Sequence, residues 1–79
     1  EITNYSKAVE LLSIAIERKP TAAAYSYRAQ AKYNMKDRTG AVEDFSKALA
    51  LEKNAEVYFK RGVAYQSLEK YDLAIDDYT

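Results

Sequence analysis

The segment AEVYFKRGVAYQSLEKYDLAIDDY, residues 55–78, repeats the pattern of AAAYSYRAQAKYNMKDRTGAVEDF, residues 22–45, at a distance of 33 residues. Small residues align with small residues and large residues with large ones. Ala41 and Ala74 occupy the same position, and Ala8 precedes Ala41 by the same interval. A fixed period of about 20–50 residues is typical of proteins whose stacked units share one core. The sequence therefore predicts a repeat architecture.

Each period contains two stretches in which apolar residues recur at helical spacing. The first stretch follows Thr21, the second begins at about Asp37, and Asn54 repeats the position of Thr21 one period later. Thr and Asn are favourable helix N-caps. Asn4 also begins a glycosylation sequon, but its alignment with Asp37 near a helix start favours an N-cap. The pattern predicts five helices and an all-α fold.

We expect these helices to divide into three segments of one domain. The first is the second helix of a partial repeat, the next is a complete repeat, and the last is a repeat truncated in its second helix; their ranges are 1–21, 22–54 and 55–79.

Composition excludes several functional classes. The chain has 79 residues with no cysteine and no histidine, so a haem ligand, a typical zinc site or a Ser-His-Asp triad cannot be built within it. Twelve basic residues balance twelve acidic ones, which gives no net field for nucleic acid or an anionic membrane. No apolar run approaches about 18 residues. We expect a cytoplasmic, nonenzymatic protein with no cofactor, no metal, and neither nucleic acid nor membrane as partner.

The ends of the chain suggest self-association as one alternative. Residues 1–40 carry a net charge of +3 and residues 41–79 one of −3, which is either ordinary scatter or a basis for head-to-tail stacking. The final YDLAIDDYT also stops within a helical pattern, without a helix-terminating signal. We expect an open edge at Ile75 and Tyr78, where another chain or a swapped copy packs as a homodimer or an end-to-end stack.

Each repeat pairs an arginine of its first helix with an aspartate of its second. Arg28 and Asp44 have this relation, and Arg61 and Asp77 repeat it. Because both members recur at the same offset, we interpret them as ion pairs that join two helices and not as anion-binding hooks. The remaining aspartates have no loop with alternating oxygen ligands, so they indicate a solvated helix face.

Residues 55–78 resemble the tetratricopeptide repeat family. The resemblance rests on an aromatic, small, aromatic, small, aromatic pattern at Tyr58, Gly62, Tyr65, Ala74 and Tyr78. It extends over essentially the whole chain, and it implies helix–turn–helix repeats stacked in a right-handed superhelix. The period is one residue shorter than usual in this family. Ankyrin repeats also have 33 residues, but their T-P-L-H pattern is missing.

The resemblance further implies that first helices line a concave groove. The side of those helices opposite the predicted core holds exposed aromatic, amide and basic residues that could hold a partner segment. The predicted partner-binding residues are Tyr27, Gln30, Tyr33, Asn34, Phe59, Lys60, Val63 and Gln66. The alternative is that neighbouring repeats of a longer chain cover this surface.

The expected function is a noncatalytic scaffold that binds a peptide or partner segment in the groove. The family's known clamp for the C-terminal carboxylates of chaperones is not expected, because only Lys60 matches it and Glu56 stands where a lysine is needed. The alternatives are a self-assembling structural element and a regulatory or targeting arm of a larger enzyme.

Overall fold

Five α-helices follow one another in the computed structural model, which describes residues 4–79. They are α1 (Tyr5–Arg18), α2 (Ala22–Asn34), α3 (Arg38–Leu51), α4 (Ala55–Ser67) and α5 (Tyr71–Tyr78). Each helix packs on the next, as expected for stacked helix pairs. The predicted all-α fold with five helices is confirmed. Residues 1–3 of the first predicted segment lie outside the described part of the chain.

Side-chain caps begin four of the helices. The side chains of Asn4, Thr21, Asp37 and Asn54 each accept a hydrogen bond from a backbone N–H in the first turn. Such bonds satisfy donors that a helix start leaves unpaired. The helix α5 differs, because Lys70 stands at its N-cap and makes no side-chain cap bond.

Small residues permit close helix contacts within each repeat. Ala29 and Ala41 are fully buried beside Phe45 in the centre of the α2–α3 pair. In the α4–α5 pair, a Cβ atom added at Gly62 would lie only 2.6 Å from Cε1 of Tyr78. The ring of Tyr78 therefore packs directly on the backbone of α4, as Phe45 packs on Ala29 one repeat earlier.

The first helix departs from this pattern. Ala15 was expected to lie at a close contact between repeats, like Ala48 one period later. Ala48 is 1% exposed, but Ala15 is exposed. The helix α3 lies between α2 and α4, whereas α1 packs on α2 alone among the described helices.

The turns inside the two helix pairs share a strained backbone position. Lys36 and Glu69 have φ angles of 70° and 62°, in the left-handed region that glycine normally occupies at the end of a helix. In the first turn, the N–H of Asp37 donates to the carbonyl of Lys32 at 2.8 Å. The bond closes the helix end and turns the chain towards α3.

Glycine at either turn position should stabilise the chain. We predict that Lys36→Gly and Glu69→Gly each raise the free energy of unfolding by about 1 kcal/mol, because glycine adopts the left-handed conformation without a Cβ clash. Urea denaturation measures the change. Glu43→Gly, at an exposed site inside α3, is the matched control and should lower stability by about 1 kcal/mol. A loss of stability at both turn positions would contradict this interpretation.

One arginine joins three helices in each repeat. Nε and Nη2 of Arg28 in α2 donate to the two carboxylate oxygens of Asp44 in α3, at 2.7 and 2.9 Å. Nη1 of the same guanidinium donates to Oγ of Ser13 in α1 at 3.0 Å. The predicted ion pair is confirmed, and the structure adds Ser13 as a partner from the preceding helix. We call this arrangement the arginine clamp.

The clamp recurs one period later. Arg61 in α4 donates to both carboxylate oxygens of Asp77, each at 2.8 Å, and to Oγ of Ser46 in α3 at 2.9 Å. The first clamp has an additional cation, because Nζ of Lys32 lies 3.1 Å from Oδ2 of Asp44. Lys32 thus occupies the position of an inner aromatic residue as a second partner of the carboxylate.

The clamp determines the ionisation of Asp44, whose residue surface is 1% exposed. Burial disfavours the charged carboxylate, but the hydrogen bonds from Arg28 and Lys32 outweigh it and lower the pKa of Asp44 below the ordinary 3.8. A lowered folded-state pKa stabilises the fold at every pH above the unfolded-state pKa. The contribution is lost as pH falls through the folded-state pKa.

Removing the charge of Asp44 should destabilise the chain severely. We predict that Asp44→Asn lowers the free energy of unfolding at neutral pH by about 3 kcal/mol, because Arg28 then keeps a buried charge without a carboxylate. Glu43→Gln, at the adjacent exposed position, should change it by less than about 0.5 kcal/mol. The difference between wild type and Asp44→Asn should shrink below pH 3.8. Equal stability at neutral pH would contradict a structural role for the pair.

Candidate functional site

A groove opens between the two first helices, α2 and α4. Its volume is about 470 Å³, within the range of sites that hold small ligands or peptide side chains. The surface residues are Ala22, Ala23, Ser26, Tyr27, Gln30, Glu52, Asn54, Glu56, Val57 and Lys60. We call this the α2–α4 groove. Three of the predicted partner-binding residues, Tyr27, Gln30 and Lys60, lie in it together.

Tyr27 is the largest exposed side chain of the groove. It is 65% exposed, although an aromatic ring gains free energy when it leaves water. Lys60 contributes the positive charge, and its Nζ lies 3.6 Å from Oε2 of Glu56 one turn earlier in α4. Because this pair is exposed and internally balanced, the groove offers no strong field to an anionic ligand.

A smaller notch adjoins the groove at its closed side. Its volume is about 80 Å³, and it is lined by Gln30, Tyr33, Phe45, Lys60 and Val63. Gln30 and Lys60 border both spaces, so the notch extends the groove towards the buried ring of Phe45. The volume is suited to one small side chain of a bound segment and not to a cofactor.

Tyr33 connects the two first helices. Its hydroxyl forms a hydrogen bond with Oγ of Ser67 in α4, with 2.9 Å between the oxygens. The guanidinium of Arg38 lies 5.1 Å from the centre of its ring. The hydrogen bond with Ser67 lowers the pKa of Tyr33, and the neighbouring Arg38 acts in the same direction against the effect of burial. Tyr33 thus fixes the spacing of the groove walls and is only partly available to a partner.

The two predicted amide contacts are engaged within the chain. Nε2 of Gln30 donates to Oδ1 of Asn34 at 3.4 Å, a long bond that a ligand could replace. The hydroxyl of Tyr78 donates to Oε1 of Gln66 at 3.0 Å. Gln66 therefore supports the α4–α5 contact, whereas Asn34 lies at the exposed end of α2.

Phe59 lies apart from the groove. Its ring is 5.2 Å from that of Tyr78, and both border a separate cleft of about 320 Å³ together with Ala55, Tyr58 and the end of α5. Phe59 is still 58% exposed. Helical spacing placed Phe59 beside Lys60, but the structure directs the two residues towards different neighbours.

The predicted self-association edge contains two differently placed residues. Ile75 is 60% exposed on α5. Tyr78 is 43% exposed, yet its ring contacts Phe59 and its hydroxyl binds Gln66. An open apolar surface on α5 is therefore formed by Ile75, with Leu73 exposed on the same helix, more than by Tyr78.

The sequence did not indicate some of the groove residues. Glu52 and Asn54 lie in the connection between α3 and α4, where helical spacing gives no information about which side chains face a first helix. Val57 was also missed, because it packs partly against the buried core as well as lining the groove. The regular 33-residue spacing of the connections, at Pro20–Thr21 and Lys53–Asn54, is the signal that could have located the end of the groove.

Two further features were searched within residues 4–79. In that range no three His, Cys, Asp or Glu side chains form a group that could hold a metal ion. None of the helices in the same range has the length and apolar character needed to cross a membrane.

Comparison with known proteins identifies the repeat. Residues 55–79 match the family model of the tetratricopeptide repeat, the same segment that carries the strongest sequence pattern. The chain belongs to the tetratricopeptide repeat family. Its fold is also that of the crystal structure of MamA, with a TM-score of 0.73 and 22% identity over 95% of this chain and 54% of that one. These matches support a protein-interaction module and a fold of stacked helical repeats.

Two curated relatives are more similar in sequence. The chain is 36% identical over 75 residues to sperm-associated antigen 1 of Rattus norvegicus, a match that covers 94% of this chain and 8% of the rat protein. It is 38% identical over 73 residues to the protein SGT1 homolog of Oryza sativa subsp. japonica, covering 90% of this chain and 20% of the rice protein. The tetratricopeptide repeat chain thus spans a small part of these relatives.

Proposed function

We propose that this tetratricopeptide repeat chain is a noncatalytic scaffold that binds a segment of a partner protein in the α2–α4 groove. The observation that carries the proposal is the exposed ring of Tyr27 in a groove of about 470 Å³ between two first helices. Exposed aromatic rings in a concave surface are common anchors of protein interfaces. The repeat family supports a protein partner.

The groove favours a partner segment with little net charge. Lys60 is balanced by Glu56, and the other wall contributes Gln30, Ser26 and Tyr27, which are neutral. Gln30 and Ser26 can hydrogen-bond a peptide backbone, while Tyr27 covers an apolar side chain. We therefore propose an extended or helical segment with an apolar anchor, and not a run of acidic residues.

The repeat division belongs to the same proposal. We assign residues 22–54 and 55–79 to successive units, so that α2 and α4 are their first helices. The clamps and the left-handed turn residues recur at the same 33-residue spacing, which supports the assignment. The groove is then a feature between units, and neither unit forms it alone.

Self-association at Ile75 is a second candidate. The exposed side chains of Ile75 and Leu73 favour it, because together they leave apolar surface on α5. Head-to-tail stacking of two copies would place α1 against α5. Both occupy the second-helix position, so the contact would lack the first helix that carries the arginine in every clamp of this chain. We rank the groove first for this reason.

Peptide selection tests the groove directly. We predict that peptides selected on the wild-type chain from a random library displayed on phage bind the Tyr27→Ala variant at least about tenfold more weakly, because the aromatic anchor is lost. Fluorescence anisotropy with a labelled selected peptide gives the affinities. Lys70→Ala, an exposed change outside the groove, should leave binding unchanged, and so should Phe59→Ala.

The opposite pattern would contradict the proposal. If Phe59→Ala removed binding while Tyr27→Ala did not, the cleft beside Tyr78 would be the site. Circular dichroism of each variant should show wild-type helicity, since Tyr27 and Phe59 are both more than half exposed. Selected peptides that bind all three variants equally would also refute the α2–α4 groove.

A further inference from the structure

The helix α1 exposes a face that its equivalents keep covered. In α3, the side turned to α2 consists of Ala41, Asp44, Phe45 and Ala48, each no more than 1% exposed. One period earlier, the equivalent residues of α1 are Ala8, Leu11, Leu12 and Ala15. Leu11 is 56% exposed, and Ala15 is exposed as well. We call these four residues, with Ile14, the α1 open face.

The open face keeps the small residues of α3 and replaces its charges. Ala8 and Ala15 correspond to Ala41 and Ala48, so another helix can approach the backbone of α1 as closely as α2 approaches α3. The acidic partner of Arg28 in α3, however, is replaced by Leu11.

A second charged contact is replaced in the same way. Nζ of Lys47 in α3 lies 5.9 Å from the centre of the Tyr25 ring in α2. The equivalent residue of α1 is Ile14, which is 45% exposed. Both positions at which α3 presents a charged group to α2 are therefore aliphatic in α1.

We propose that the α1 open face binds one amphipathic helix of a partner protein, docked as α2 docks on α3, with an aliphatic side chain where α2 carries Arg28. The two covered interfaces inside this chain supply the geometry, since α2 covers α3 and α4 covers α5 in the same manner. The aliphatic pair Leu11 and Ile14 supplies the selectivity.

Selectivity follows from the cost of an unpaired buried charge. A guanidinium at the docked position would lose water and meet Leu11 where Arg28 meets Asp44. An aliphatic side chain at that position instead adds buried apolar surface. The face should therefore reject helices that carry the arginine, as both first helices of this chain do.

A second copy of the chain is a poor occupant for the same reason. Its α2 and α4 carry Arg28 and Arg61, and both guanidinium groups are already bound to Asp44 and Asp77. Releasing either helix would leave a buried carboxylate unpaired as well. The occupant is thus a helix of different sequence.

Two peptides and one variant test the selectivity. The probes are hydrocarbon-stapled peptides with the sequence of residues 54–69, one unchanged and one with Arg61→Leu. Fluorescence anisotropy measures their binding to the intact chain and to its Leu11→Asp variant. We expect the Arg61→Leu peptide to bind the wild-type chain at least about tenfold more tightly than the unchanged peptide. In Leu11→Asp the order should reverse, because the new carboxylate can pair with Arg61.

Two controls separate this face from other surfaces. Ala8→Leu should abolish binding of the Arg61→Leu peptide, because a larger side chain prevents close approach of the helices, whereas Ile75→Asp on α5 should leave binding unchanged. The proposal is overturned if neither peptide binds the wild-type chain, if both bind equally, or if Leu11→Asp does not change their order. A dimer of the wild-type chain in sedimentation that Leu11→Asp dissolves would assign the face to a second copy and also overturn it.

Discussion

The arginine clamps hold this stack of helices in one arrangement. Arg28 and Arg61 each bind a carboxylate in the following helix and a serine hydroxyl in the preceding one. A guanidinium is planar and offers five donors, so it can satisfy partners on two sides at once, which a lysine cannot do. Hydrophobic contacts between alanines and aromatic rings supply most of the driving force, but they are nondirectional. The clamps specify which helix faces which, and they connect neighbouring units.

The groove is a consequence of that arrangement. Because one clamp positions α2 and the other positions α4, the exposed sides of both helices face a common space. Tyr33 and Ser67 add a direct hydrogen bond between the same two helices. The partner-binding surface proposed for this tetratricopeptide repeat chain thus depends on contacts buried on the opposite side of the first helices. The unpaired ends of the stack then differ, since α1 has Leu11 where the clamps need an acid.

The sequence predicted most of the fold because the repeat supplies the same information more than once. The caps at Thr21 and Asn54 and the two Arg–Asp pairs were readable from spacing alone, and the structure confirms them. The serine partners were missed, although Ser13 and Ser46 also recur at 33 residues. A hydroxyl on the helix surface carries no signal of its own until the neighbouring helix is placed beside it.

The candidate site was less predictable for a physical reason. Helical spacing states which side of one helix a residue occupies, but neighbouring helices decide what it meets. Phe59 and Lys60 are adjacent on α4, yet Phe59 contacts Tyr78 while Lys60 lines the groove. Residues in connections, such as Glu52, follow no helical period at all. The partner-binding residues therefore remain predictions, and Tyr27, Gln30 and Lys60 are the three that the structure brings together.

The coupling free energy between Arg61 and Ser46 tests the clamp most directly. A double-mutant cycle of Arg61→Leu and Ser46→Ala, measured by urea denaturation, removes the effect of leaving Asp77 unpaired because that effect appears on both sides of the cycle. If one arginine joins successive units, the coupling should favour the wild-type pair by about 1 kcal/mol or more. A coupling of zero within experimental error would show that the two substitutions act independently. The clamp would then be a contact within one repeat only, and the account of the stack given above would be wrong.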